Sequence, residues 1–163
     1  MCTELTFRDG SLNEINQIKE LTLLAYMQFK DILTKENVRQ WQDYLGSEKT
    51  YSELFKTAFC FVCEHNNKII GSAFIIPQGN PYKWFDANCS YIRLLAVHPA
   101  FEGKGIGRNL TQLCIDKAKE IGEKTIALHT SEFQNAARHI YEKMGFVKLK
   151  DLDLMFGKQY YLY

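Results

Sequence analysis

The stretch from Ser90 to Leu110 does most to limit what this chain can fold into. Ser90-Tyr91-Ile92-Arg93-Leu94-Leu95-Ala96-Val97 reads as a strand and stops at His98-Pro99, where proline cannot continue the hydrogen-bond ladder. Gly103, Gly105 and Gly107 follow, and a helix pattern opens near Arg108. Leu110, Leu113, Cys114, Ala118 and Ile121 share one face of that helix, and Gly122 stands just past its end. A strand feeding a glycine turn that opens a helix needs a sheet with a helix laid on it, so the chain is expected to mix both element types.

The flanking sequence extends this pattern. A short strand is expected over Thr3 to Arg8, then a capping box in which Ser11 and Glu14 satisfy each other's backbone donors. The helix after it would bury Leu12, Ile15, Ile18, Leu21 and Ala25. Thr34 to Lys56 reads as one or two short helices around Gly46. Phe59 to Glu64 and Ile69 to Ile76 form a hairpin across His65-Asn66-Asn67-Lys68, because Asn accepts the positive φ of a tight turn. A strand over Thr125 to Thr130 precedes a helix from Ser131 to Met144, with Ser131 and Gln134 as a second capping box and Gly145 at the end. The tail, Phe146 to Tyr163, reads as two strands around Phe156-Gly157-Lys158. The order is β-α-α-β-β-β-α-β-α-β-β, one α+β domain over residues 1–163.

Composition removes several functions. At 163 residues the chain can bury roughly 70% of its unfolded surface in one core and needs no disulfides. Twenty Lys and Arg against nineteen Asp and Glu leave a formal charge of +1, which argues against nucleic-acid partners that demand a broad basic field. No apolar run approaches the ~20 residues that cross a bilayer, and Met1-Cys2-Thr3-Glu4 lacks the pattern of a secretion signal, so a cytoplasmic chain without membrane partners is expected. The five cysteines are scattered among apolar neighbours and suit reduced, buried thiols. Cys60 and Cys63 spell C-x-x-C, but on a strand residues three apart face opposite ways, so neither a metal site nor a bridge is expected.

The glycine turn points to a local anion site. Gly103, Gly105 and Gly107 lack Cβ atoms, so backbone N–H groups of the turn can approach a bound anion where the helix opens. The G-x-x-x-x-G-K-[ST] loop is absent, and the spacing is not G-x-G-x-x-G because position 108 is Arg. Alternating glycines also suit a plain flexible turn.

Val97-His98-Pro99 followed by Glu102-Gly103-Lys104-Gly105-Ile106-Gly107 resembles the acetyl-coenzyme A signature of the GNAT N-acetyltransferase superfamily, [QR]-x-x-G-x-[GA] after a strand ending in V-x-P. Ala137-Arg138-His139-Ile140-Tyr141-Glu142-Lys143-Met144-Gly145-Phe146 is similar to that family's A-x-x-L-Y-E-K-x-G-F. The resemblance implies a mixed, mostly antiparallel sheet whose central strands splay apart, flanked by helices. It implies acetyl-CoA as cosubstrate, with its pantetheine arm paired to the backbone of Leu95, Ala96 and Val97. The pyrophosphate would rest on the amides of Gly103, Lys104, Gly105, Ile106, Gly107 and Arg108. Lys104 and Arg108 either touch phosphate with their side chains or are solvated surface. Two departures stand out: Glu102 replaces Gln or Arg, and Gln134 replaces an Asn at the start of the last helix, with Asn135 one place later.

The implied activity is acetyl transfer to a primary amine, small-molecule or peptide. Tyr141 is then the general acid, since a phenol can deliver a proton to the leaving thiolate. The competing reading is a core aromatic beside Ala137, Ile140 and Met144. The family's common Glu on the central strand is Tyr91 here, which leaves Glu64, Asp86 and His98 as substitute bases and a water chain as the default. His129 and His139 are no better placed. The acceptor would sit beneath Thr34 to Lys56 and the loop bearing Tyr82, Trp84, Phe85 and Asp86. A non-catalytic acyl-CoA-binding module is the alternative. The tail Tyr160-Tyr161-Leu162-Tyr163 is either an exposed edge that forms a homodimer or a paired core strand.

Overall fold

The computed structural model describes residues 4–163. Cys2 and the expected start of the first strand at Thr3 lie outside the described residues. The main sheet runs β1 (Thr6–Asp9), β2 (Phe59–His65), β3 (Lys68–Ile76), β4 (Ser90–Val97) and β5 (Ile126–Ala127) in that spatial order. Its strands pair antiparallel except β4 with β5. A second sheet places β8 (Lys158–Leu162) between β6 (His129–Ser131) and β7 (Lys150–Met155). The helices are α1 (Ile15–Met27), α2 (Lys35–Leu45), α3 (Glu48–Thr57), α4 (Ile106–Glu120) and α5 (Asn135–Lys143). The fold class is α+β, as expected.

The main sheet is covered on both faces, which is why β2 and β3 read as nearly continuous apolar runs. Cys60, Val62, Phe74 and Ile76 face one core with Ile15, Ile18 and Leu21 of α1 and Tyr51 and Leu54 of α3. Phe61, Cys63, Ala73 and Ile75 face the other, with Ile106, Leu110 and Cys114 of α4 and Tyr141 of α5. Cys60 and Cys63 therefore point to opposite cores, and both are free thiols. The β2–β3 turn holds Asn66 and Asn67 at φ of 51° and 60°, the left-handed geometry expected of a two-residue hairpin.

Several boundaries differ from those that the residue pattern predicts. Leu12 lies in a 3-10 turn ahead of α1 and is 58% exposed, so it does not join the helix's buried face. Helix α4 begins at Ile106 rather than near Arg108, and Ile121 caps it in the open rather than in the core. The strand expected over Thr125 to Thr130 breaks at Leu128, whose N–H and C=O both pair with Tyr163, so β5 stays in the main sheet while β6 joins the second. The Ser131–Gln134 pairing forms, with Ser131 N donating to Gln134 Oε1 at 3.1 Å, but α5 starts later, at Asn135. Strand β8 is the central strand of its sheet with Tyr160, Leu162 and Tyr163 buried, so the tail is the paired core strand of the two readings and not an exposed edge.

Strand β4 carries an irregularity that no residue type announces. Pairing with β3 runs Gly71 to Val97 and Ser72 to Ala96, then shifts to Phe74 with Arg93, so β4 holds an extra residue. Leu94 takes up the bulge with φ of 51°, a left-handed backbone that a branched side chain resists. Leu94→Val is expected to be less stable than Leu94→Gly by about 1 kcal/mol in urea unfolding, although Val retains more apolar surface. The reverse order would mean that the backbone at 94 is not left-handed.

At the other end of the sheet Arg8 ties three elements together. Its guanidinium lies 2.6 Å from Glu14 and 2.6 Å from Glu64, and Ser11 N donates to Glu14 at 2.9 Å, completing the expected capping box. The Arg8 hydrogen bond is the main cause that holds the Glu14 carboxyl below its ordinary value of 4.5. Its contribution is therefore complete above that value and is lost as pH falls through the lower folded value. Glu14→Ala is expected to cost about 1 kcal/mol at pH 7 and less at pH 3, read from urea midpoints.

Candidate active site

The two central strands part company almost at once. Only Ser90 with Ile126 and Tyr91 with Ala127 pair in register, reinforced by Ser90 N and Oγ donating to Thr125 O at 3.1 and 2.8 Å. Beyond Tyr91, β4 has no strand on that side among the described residues, and two cavities lie along it.

The larger cavity, about 960 Å³, is lined along one wall by Leu95, Ala96 and Val97 and at its mouth by Glu102, Gly103, Gly105, Ile106, Gly107 and Arg108. Asn135, Ala136, His139, Ile140 and Lys143 supply the α5 wall. Gly105 caps α4 at φ of 78°, and the first backbone bond of the helix runs from Asn109 N to Gly105 O at 3.0 Å. The amides of Ile106, Gly107 and Arg108 precede that bond and have no intrahelical acceptor. A Cβ built at Gly103 or Gly105 meets nothing within 4 Å, so the turn is open to a bulky group. Lys104 stands apart from the lining, its ammonium 5.2 Å from the Phe101 ring. The exposed Glu102 sits at the mouth.

The smaller cavity, about 370 Å³, lies on the far side of Leu95 and Tyr26, and Gln134 and Ala137 also line both spaces. Trp41 and Tyr44 of α2, Tyr82 and Lys83 of the loop before β4, Arg93 and Leu94 of β4, and His129 and Tyr141 complete much of its wall. Tyr26 donates its hydroxyl to Leu95 O at 3.4 Å where the spaces meet. Gln134 is committed locally, its Oε1 accepting from Ser131 N and, at 2.9 Å, from Ser131 Oγ. Burial pushes the Tyr141 phenol well above its ordinary value, so it keeps its proton at neutral and mildly alkaline pH.

No expected substitute for the missing carboxylate lines either cavity. Glu64 is held by Arg8, Asp86 accepts from Asn88 N at 2.8 Å in a surface turn, and His98 Nδ1 accepts from Ala100 N at 3.1 Å. Tyr91 lies flat against Phe85, with ring centroids 4.3 Å apart, and donates its hydroxyl to Asn80 O at 2.6 Å. His129 does reach the smaller cavity, between Trp84 and Tyr160. Burial first, then Arg93 and Lys83, push its imidazole below its ordinary value, so it is a poor proton acceptor at pH 7. His139 lines the larger cavity.

Sequence reading missed Leu94, Tyr26 and Arg93. The first two look like ordinary core residues in apolar runs, and Arg93 looks like a solvent-facing strand charge. Among the described residues no helix is long and apolar enough to cross a membrane, and no group of His, Cys, Asp and Glu is placed to hold a metal.

The sequence and the fold are similar to those of known proteins. The acetyltransferase (GNAT) family model matches residues 26–146. N-alpha-acetyltransferase 30 of Schizosaccharomyces pombe is 32% identical over 97 residues, 58% of this chain and 61% of that protein. A probable N-acetyltransferase, camello, of Xenopus laevis is 32% identical over 109 residues, 67% of this chain but only 47% of the frog protein. The crystal structure of PaiA N-acetyltransferase from Thermoplasma acidophilum in complex with coenzyme A superimposes with a TM-score of 0.77 at 16% identity, covering 98% of both chains. With well over half of its length matched by the family model, the chain belongs to the acetyltransferase (GNAT) family.

Proposed function

We propose that residues 1–163 form one cytoplasmic N-acetyltransferase domain that moves the acetyl group of acetyl-CoA directly to a primary amine. One observation carries this reading: the unpaired edge of β4 and the free amides at the start of α4 face the same cavity, whose inner end meets the pocket of Tyr141. Names of relatives and the coenzyme A bound by the Thermoplasma protein support the same cosubstrate.

Acetyl-CoA supplies an acyl group activated as a thioester. Backbone groups of Leu95, Ala96 and Val97 pair with its pantetheine arm as a substitute strand. Amides of Gly103 to Arg108 receive the pyrophosphate, aided by the helix dipole and the Arg108 guanidinium, while Lys104 adds charge from the rim. The acceptor amine enters from the smaller cavity. Tyr141 holds a proton on its hydroxyl and gives it to the departing sulfur, and water carries the amine's proton away because no carboxylate among the described residues lines the pocket. Proximity of the two reactants then supplies most of the rate. The buried Tyr91 at the usual base position favours the second reading, an acyl-CoA-binding module without turnover.

Three measurements test this. Gly107 is helical and a Cβ there would make only ordinary contacts, at 3.6 Å to Ile140 and 3.7 Å to Val97, so the γ-methyls of Gly107→Val would enter the larger cavity without breaking the fold. The variant is expected to melt near wild type alone and to lose its thermal shift with acetyl-CoA; an unchanged shift rejects the placement. Tyr141→Phe is expected to lower kcat by ~10- to 10³-fold with little change in the KM for acetyl-CoA, measured by mass of acetylated product over a panel of amines. Wild-type kcat would return Tyr141 to a packing role, and no product from any amine would favour the binding module. The pH profile follows from the empty base position. An alkyl ammonium has a pKa of about 10.4, so kcat/KM should rise from pH 7 to 9 with no inflection near 6 to 7 and no falling limb from Tyr141. An inflection there, shared by acceptors of different basicity, would reveal a protein base.

A further inference from the structure

The charge lining the smaller cavity is one-sided. Among the described residues its charged side chains are Lys83 and Arg93, and no Asp or Glu contributes. Neither cation pairs with a carboxylate among the described residues. Arg93 is nevertheless fixed: its guanidinium lies 4.0 Å from the centre of the Tyr82 ring and donates to the Tyr44 hydroxyl. Lys83 Nζ sits 5.2 Å from the Tyr82 ring and 5.5 Å from that of Trp84. A stacked guanidinium with donors left over, in a pocket with no negative side chain, disfavours an acceptor that is only a cation. It suits one that brings its own negative charge. The remaining wall is largely ring surface, from Trp41, Tyr44, Phe156 and Tyr160, and 370 Å³ has room for one amino acid with an apolar or aromatic side chain.

Resting on the acetyltransferase reading above, we infer that the acceptor is a free α-amino acid with an apolar or aromatic side chain, its carboxylate held by Arg93 and Lys83 and its amine turned toward Leu95 and Tyr141. The lining cations then choose the substrate and lower the cost of bringing a charged molecule into the pocket, since the carboxylate enters as a counter-ion. A peptide N-terminus lacks that adjacent carboxylate and loses this contact.

Binding separates the acceptor class from turnover. The probes are N-acetylphenylalanine and N-acetylphenylalaninamide, titrated calorimetrically into the protein saturated with coenzyme A. The acid is expected to bind about 10- to 100-fold tighter than the amide, the range for hydrogen bonds to a charged group. Arg93→Gln should remove most of that ratio, Arg93→Lys should keep part of it, and Lys83→Gln, at an exposed position, should reduce it even if Arg93→Gln melts low. Equal or tighter binding of the amide overturns the proposal in favour of a peptide terminus, as does a preference for the acid that survives both Gln substitutions. In turnover, phenylalanine should outrun phenylalaninamide although the amide's amine is the less basic and more available nucleophile; the opposite ranking also overturns the proposal. Tight binding of the acid with no acetylation of phenylalanine or of any other amine in the panel would sustain the carboxylate site and reject the acetyltransferase reading instead.

Discussion

Beyond Tyr91, β4 runs through the middle of the molecule with a neighbouring strand on one side only among the described residues. Backbone N–H and C=O groups are expected to find partners, and an open edge inside a fold is normally closed by another strand. Here the chain instead sends β5 and β6 apart at Leu128 and commits that residue to Tyr163 in the second sheet. The cavity, the exposed backbone of Leu95 to Val97 and the meeting point with the Tyr141 pocket all follow from that divergence. The bulge at Leu94 belongs to the same device, because it re-aims the end of β4 while its pairing with β3 resumes at Ala96.

The divergence would be of little use unless the start of α4 lay close to the open edge, and Gly71 sets that distance. A Cβ at Gly71 would come 2.6 Å from Ile106 Cγ2 and 3.0 Å from Leu110 Cδ1. Only the bare backbone of β3 lets the first turn of α4 settle against the sheet. Gly105 then turns the chain into the helix with its amides toward the cavity. Two glycines with different duties, one for close approach and one for a left-handed cap, thus place an anion site beside an unpaired strand.

Much of this was legible beforehand because it rests on local chemistry. The strand stop at His98-Pro99, the glycine turn, the Ser11–Glu14 box and the Asn66-Asn67 hairpin each carry a residue signature that structure and sequence share. Helical spacing marks α1 and α4, a capping box and Gly145 mark α5, and α2 and α3 answer to the one or two short helices expected around Gly46. What stayed hidden depends on tertiary geometry. Leu94 is an unremarkable leucine in an apolar run, yet its backbone is left-handed because the sheet demands a bulge there. Arg93 reads as a surface charge, yet it is stacked on Tyr82 in a pocket built by α2, the loop before β4 and the second sheet. The break at Leu128 is invisible because its cause, Tyr163, lies at the far end of the chain. The absence of a carboxylate at Tyr91 was legible, but only the structure shows that the tyrosine is locked under Phe85 and away from both cavities.

Hydrogen–deuterium exchange with and without saturating coenzyme A tests the central claim most directly, because it reads the backbone rather than any side chain. If the parted strands and the helix start form one cofactor site, exchange should slow in peptides covering residues 92–97 and 103–110 and stay unchanged across β1 and β2. Saturated binding with no protection at 92–97 would contradict the account, since the open edge of β4 would then have no part in holding the cofactor.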